Sequence, residues 1–122
     1  MISMQIISRL KILHSLGYVH RDIKPANILF GTNELIDVLH VIDFGLTKKV
    51  SKFKDEDVPP FIFERQNVSL SGTPNYASVN LHCGWEEWFK SDDMEGFVYM
   101  MIYLLKGVLP WESMRTDDNY YR

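Results

Sequence analysis

In the first segment of the chain, Ile2, Ile6, Leu10 and Leu13 fall at intervals of four, four and three residues. This spacing lines one face of an α-helix, with Ile7 and Lys11 on flanking faces and Gly17 as its expected stop. No capping signal precedes the pattern, so the start of the chain is not expected to be the start of a natural domain. The period then changes. Ile28-Leu29-Phe30 and the run Val38 to Ile42 are short, apolar and partly β-branched, and lie on either side of Gly31-Thr32-Asn33. They predict two small strands joined by a loop. Residues 46–71 have no sustained period: Lys48, Lys49, Lys52 and Lys54 precede Asp55, Glu56 and Asp57, then Pro59-Pro60. This stretch reads as a long loop, and loops of that length in compact domains are usually functional or mobile. A second helix is expected from Asp92, capped by Ser91 or Asp92, with Asp92, Asp93 and Glu95 in its positive first turn and Lys106-Gly107 at its end. Phe97 to Leu105 is apolar on every face, which predicts a helix surrounded by protein.

Composition narrows the class. The 122 residues are 46% hydrophobic and 24% charged, which suits one globular folding unit at most. A net charge of −3 argues against a polybasic binder of nucleic acid or of a membrane surface. Residues 1–61 carry 8 basic and 7 acidic side chains and residues 62–122 carry 5 and 9, so the acidity belongs to the second half. The single cysteine, Cys83, excludes an internal disulfide framework and fits a reducing compartment, so an intracellular location, cytoplasmic or nuclear, is expected. Residues 1–16 lack the apolar core and cleavage site of a signal peptide. The longest apolar run, Phe97 to Leu105, has nine residues, whereas a membrane span needs about 20.

The most informative stretch is His20-Arg21-Asp22-Ile23-Lys24-Pro25-Ala26-Asn27, followed sixteen residues after Asn27 by Asp43-Phe44-Gly45. Asp22 and Asn27 lie between the first helix and the first predicted strand, and Asp43 ends the strand expected to pair with it. Hard oxygen donors such as Asn27 and Asp43 suit Mg²⁺, which keeps several waters and bridges substrate phosphates. Lys24 adds a positive charge two residues from Asp22. A carboxylate that orients a hydroxyl, a pair of metal ligands and a lysine are the parts that phosphoryl transfer needs, because positioning and charge neutralisation lower its barrier.

This constellation resembles the eukaryotic protein kinases: H-R-D-x-K-P-x-N matches their catalytic loop at all six specified positions, and D-F-G matches their metal-binding motif. The resemblance implies that Asp22 is the catalytic base, that Lys24 supports the γ-phosphate, and that Asn27 and Asp43 hold Mg²⁺ beside ATP. It implies that His20 and Arg21 are structural partners, and that Gly45 lets its loop switch between states. It also implies transfer to Ser or Thr of protein substrates, since Lys24 follows the catalytic aspartate. The fold it implies is mainly α with some β, the helical lobe of a kinase with a small β-hairpin under the site, spanning residues 1–122 as a partial domain.

Later segments are similar to the casein kinase I group. Leu70-Ser71-Gly72-Thr73-Pro74-Asn75-Tyr76-Ala77-Ser78-Val79-Asn80 resembles that group's G-T-x-R-Y-A-S-[IV]-N stretch, and Asp92-Asp93-Met94-Glu95 and Leu109-Pro110-Trp111 resemble its D-D-L-E and L-P-W. By this resemblance Thr73 hydrogen-bonds Asp22 and shapes the substrate hydroxyl site, and Asp93 ties its helix to the catalytic-loop backbone. Two positions depart from the group. Asn75 replaces an arginine that helps hold an acidic or phosphorylated substrate residue, and Val98 replaces a glycine in a tightly packed helix, which predicts local repacking. No Gly-rich G-x-G-x-x-G loop or V-A-I-K-type lysine occurs in these residues. The 122-residue polypeptide alone is therefore expected to have little activity, and a non-catalytic kinase lobe acting as a binding or regulatory module stands as the alternative.

Other groups have plainer readings. His14, His40, His82 and Cys83 show no metal-ligand spacing and read as helix or loop residues. Trp85, Trp88 and Phe89 read as anchors of a loop on the core. Ser51, Ser69, Ser71 and Thr73 are candidate phosphorylation sites, and Asn67-Val68-Ser69 fits an N-glycosylation pattern that is not expected to be used, since residues 1–16 do not resemble a signal peptide.

Overall fold

A computed structural model describes residues 2–50, 72–83 and 89–113. In chain order they form helix α1 (Ile2–Ser15), strands β1 (Tyr18–Val19), β2 (Ile28–Phe30), β3 (Leu39–Val41) and β4 (Lys48–Lys49), the short helix α2 (Val79–His82) and the long helix α3 (Lys90–Lys106). Single 3-10 turns occupy Pro25–Asn27, Asn33–Leu35, Phe44–Leu46 and Pro74–Tyr76. Residues 51–71, with Ser51, Ser69, Ser71 and Asn67-Val68-Ser69, lie outside the described residues, as do Trp85 and Trp88.

Helix α1 buries Ile6 and Leu10 of the predicted stripe. These side chains meet Ile23, Leu39 and, from α3, Phe97 and Met100 in the main core. The two expected strands pair antiparallel, with Ile28 opposite Val41, Leu29 opposite His40 and Phe30 opposite Leu39. Gln5 of α1 fixes this hairpin: its amide donates to the Asp37 carbonyl at 2.7 Å and accepts from the Leu39 N–H at 3.0 Å.

The start of the expected loop is instead a strand. β4 pairs antiparallel with β1, Tyr18 opposite Lys49 and Val19 opposite Lys48, and the Val50 N–H extends the ladder to the Gly17 carbonyl at 2.8 Å. Two lysines carry no alternation that would reveal a strand; the pairing with β1 makes it one. A second small cluster, Val19, Ala77 and Leu81 with Val50, packs behind it.

Helix α3 begins before the expected cap. Lys90 is its first residue, so Ser91 and Asp92 are inside it. Asp92 reaches back and its Oδ2 accepts from the Phe89 N–H at 2.6 Å, satisfying a donor that the helix itself leaves open. The C-terminus forms as expected: Gly107 takes φ +77°, a left-handed cap, and its N–H reaches the Tyr103 carbonyl. The apolar run is not enclosed all round, since Phe97 and Met100 are buried while Leu105 is 81% exposed.

Val98 is 49% exposed and needs no repacking. The close approach falls at Gly96, where a Cβ would lie 2.9 Å from the Tyr76 carbonyl oxygen. We expect Gly96→Ala to lower unfolding stability in denaturant titrations by about 1–2 kcal/mol, although alanine gains about 1 kcal/mol in helix propensity. Val98→Ala should change it by less than about 0.5 kcal/mol.

Candidate active site

The loop between β1 and β2 is anchored before it is functional. His20 is fully buried; its Nδ1 accepts from the Asp22 N–H at 3.3 Å and its Nε2 donates to the Ile42 carbonyl at 3.0 Å. These partners place the ring hydrogen on Nε2. The ring also packs against Phe44, with centroids 5.2 Å apart. Arg21 takes φ +75°, a left-handed conformation costly for a residue with a Cβ. Asp93 of α3 holds both amides: the Arg21 N–H donates to Oδ1 at 2.9 Å and the His20 N–H to Oδ2 at 2.8 Å. His14 Nε2 of α1 donates to the same Oδ2 at 2.7 Å.

This anchored loop presents Asp22. Thr73 donates to its Oδ1 twice, from the backbone N–H at 3.0 Å and from Oγ1 at 2.8 Å. Lys24 Nζ lies 2.6 Å from Oδ2 and donates to Thr73 Oγ1 at 2.9 Å. Asn27 Nδ2 donates to Oδ2 at 3.1 Å and to the Asp22 carbonyl at 2.8 Å. Burial alone pushes the Asp22 carboxyl up; the hydrogen bonds from Lys24, Thr73 and Asn27, with the Lys24 charge, outweigh it and hold the carboxyl below its ordinary value of 3.8. Asp22, Lys24, Asn27 and Thr73 therefore form one hydrogen-bonded cluster. Gly72 permits the approach of Thr73: it takes φ +94°, and a Cβ there would lie 2.7 Å from the Arg21 carbonyl oxygen.

Asp43 stands beside this cluster rather than in it. The register that sets Ile28 against Val41 brings the Ile42 N–H to the Asn27 carbonyl at 3.0 Å, so Asn27 and Asp43 emerge at one end of the β2–β3 pair. Asp43 takes φ +62°, and its Oδ1 accepts from the Gly45 N–H at 3.3 Å. The left-handed backbone of this turn thus falls on Asp43, not Gly45. Among the described residues no three His, Cys, Asp or Glu side chains form a metal cluster. The donor set of Asn27 amide and Asp43 carboxylate instead fits a hard cation that takes its remaining ligands from phosphate and water.

Several structural side chains of the site were not assigned a role from the sequence. Trp111 Nε1 donates to the Asn75 carbonyl at 3.0 Å, and its ring meets Tyr99 edge-on at 4.8 Å. Burial first, and then the hydrogen bond and charge of Glu95, push the Tyr99 hydroxyl up to about 12. Asp92 Oδ1 accepts from Ser78 Oγ at 2.7 Å and Asn80 Nδ2 at 3.1 Å, which docks the segment after Thr73 on α3. His14, read from sequence as an ordinary helix residue, is the third donor to Asp93. Apart from the Glu95–Tyr99 pair within α3, such roles depend on partners far away in the chain and leave no local signal.

A family model for the protein kinase domain matches residues 1–122. The chain belongs to the protein kinase family. Its reaction class is therefore transfer of a phosphoryl group to protein, with ATP as the donor the family uses. The helices and small antiparallel pairs of the structure agree with a kinase domain. Among the described residues, no helix is long and apolar enough to cross a membrane.

Two predictions follow from the anchoring of this kinase loop. Asp93→Ala should cost about 2–4 kcal/mol in denaturant unfolding, because it strands the two loop amides without an acceptor; His14→Ala, which removes one donor, should cost about 1 kcal/mol. The Asp22 carboxyl has a lower native than unfolded value, so its ionised form stabilises the fold above the ordinary value of 3.8 and that contribution disappears as the pH falls through the native one. Acid-unfolding curves of Asp22→Asn should accordingly be flatter than those of the parent below about pH 4.

Proposed function

We propose that the chain carries the catalytic-loop side of a serine/threonine protein kinase of casein kinase I type, with Asp22 as the base and Thr73, Lys24 and Asn27 setting its geometry. The observation that carries this reading is the fourfold hold on the Asp22 carboxylate by Thr73, Lys24 and Asn27. A carboxyl held below its usual value is a weak base but a good acceptor. Asp22 therefore orients the substrate hydroxyl and takes its proton late, as suits a loose phosphoryl transition state. Lys24, whose Nζ bridges Asp22 and Thr73, places positive charge where the γ-phosphoryl group passes. Asn27 and Asp43 are the residues that would hold Mg²⁺, which when bound neutralises the charge of the ATP phosphates.

The casein kinase I assignment is supported by the Gly72-Thr73-Pro74-Asn75-Tyr76 stretch and by the Asp92-Asp93 pair at the start of α3. Asn75 brings no charge to the position of the group's arginine, so this kinase is expected to show no preference for substrates already bearing a phosphate nearby. The single Cys83 supports an intracellular location, cytoplasmic or nuclear.

The test is Mg²⁺-dependent transfer from ATP to casein by the natural protein that carries these residues, followed by identification of the phosphorylated amino acid. Phosphoserine and phosphothreonine are expected, with a fall in kcat of about 10²–10⁴-fold in Asp22→Ala and loss of Mg²⁺ dependence of nucleotide binding in Asp43→Ala. Phosphotyrosine would overturn the Ser/Thr assignment. Absence of any incorporation would overturn catalysis in favour of a regulatory kinase lobe.

A further inference from the structure

A groove of about 400 Å³ separates α1 from the start of α3, away from the Asp22 cluster; it is lined by Ile7, Lys11, His14 and Ser15 of α1 and by Lys90 and Met94 of α3. The α1 residues repeat at helical spacing on one face, and Lys90 and Met94 stand one turn apart on the other wall. Ile7 and Met94 pack on the main core and make an apolar floor. Among the described residues the charged lining is basic: two lysines and a histidine, with no acid.

Among the described residues, the two acids in the first turn of α3 are engaged elsewhere. Asp92 is held by Ser78, Asn80 and Phe89, and Asp93 by His14, His20 and Arg21. The ion pairs among the described residues are His14–Asp93 and Lys24–Asp22, so neither Lys11 nor Lys90 meets a described carboxylate. Ser15 Oγ donates to the Ile12 carbonyl at 2.7 Å and contributes no free donor. The binding charge of the groove among the described residues is therefore that of Lys11 on one wall and Lys90 on the other. An anion in the groove gains charge-assisted hydrogen bonds from these ammonium groups.

We propose that this groove binds a phosphomonoester dianion. Lysine ammonium groups serve as point-charge partners for phosphate, and the apolar floor suits the short stem that carries it. The volume lies within the usual range for a small-ligand site, about 300–1,000 Å³. A nucleic acid is disfavoured, because two lysines on a chain of net charge −3 cannot follow a continuous polyanion. The dianion is free phosphate, or the phosphate of a phosphorylated serine or threonine side chain.

Both sources are tested by titrating the full ¹⁵N-labelled chain with inorganic phosphate, with a neutral peptide containing one phosphoserine, and with its unphosphorylated twin. Saturable amide shifts at Lys11, His14 and Lys90 are expected with phosphate or the phosphopeptide and not with the twin; tighter binding of the phosphopeptide identifies a protein-borne phosphate, and equal binding a free one. Lys11→Gln combined with Lys90→Gln should weaken binding at least tenfold, and Lys106→Gln should leave it unchanged. If the double variant loses spectral dispersion, each single variant decides, with at least a threefold weakening expected. Shifts that persist in the folded variants, meaning an adventitious ion only, would overturn the proposal. So would equal binding of the unphosphorylated peptide, tighter binding of a single-stranded oligonucleotide, or no saturable shift at all.

Discussion

The buried carboxylate of Asp93 is the constraint on which the rest of this kinase structure depends. A carboxylate only 2% exposed is tolerable only when its lone pairs are satisfied. Its three donors come from α1, through His14, and from the loop amides of His20 and Arg21. One side chain thus fixes α3, α1 and the loop to one another. It also sustains the left-handed backbone at Arg21, a conformation that costs about 1–3 kcal/mol and persists only when surroundings over-determine it.

The chemistry is built outward from that anchor. With Arg21 turned, the Asp22 carboxylate is directed toward Thr73 and Lys24, and His20 braces the turn from behind through the Asp22 N–H and the Ile42 carbonyl. The same Ile42 places Asp43 next in the chain, so one buried imidazole links the loop carrying Asp22 to the turn carrying Asp43. The donors around Asp22 are thus held in place by the fold before any ligand arrives, the preorganisation on which the proposed role of Asp22 relies. The segment after Thr73 is held separately, by Asp92 through Ser78 and Asn80 and by Trp111 through Asn75. Two adjacent acids on α3 therefore serve two different parts of the site.

Much of this was legible in the linear chain because it is local. The stripe of Ile6 and Leu10 is a helical period, Ile28-Leu29-Phe30 is an apolar strand, and Lys106-Gly107 is a helix end. The set Asp22, Lys24, Asn27 and Asp43 was visible as a motif because those residue types at that spacing match the kinase pattern. Local reading went astray where a neighbour decides the outcome. The cap expected at Ser91 or Asp92 was displaced because the Asp92 carboxylate could reach back to Phe89. The expected repacking at Val98 was unnecessary because Val98 lies on the half-exposed side of α3, while Gly96 faces the Tyr76 carbonyl.

The sequence by itself determined the residue types that can orient a hydroxyl and bind a hard cation, and the helices and hairpin that carry them, since periodicity and motif spacing are properties of neighbouring residues. Only the tertiary structure decided that Lys48–Lys49 is a strand, that His14 supports Asp93, and that Trp111 holds Asn75. Those pairs are separated by tens of residues, and no periodicity spans such a distance. The burial that makes each hydrogen bond obligatory exists only once α1, α3 and the loop have closed on one another.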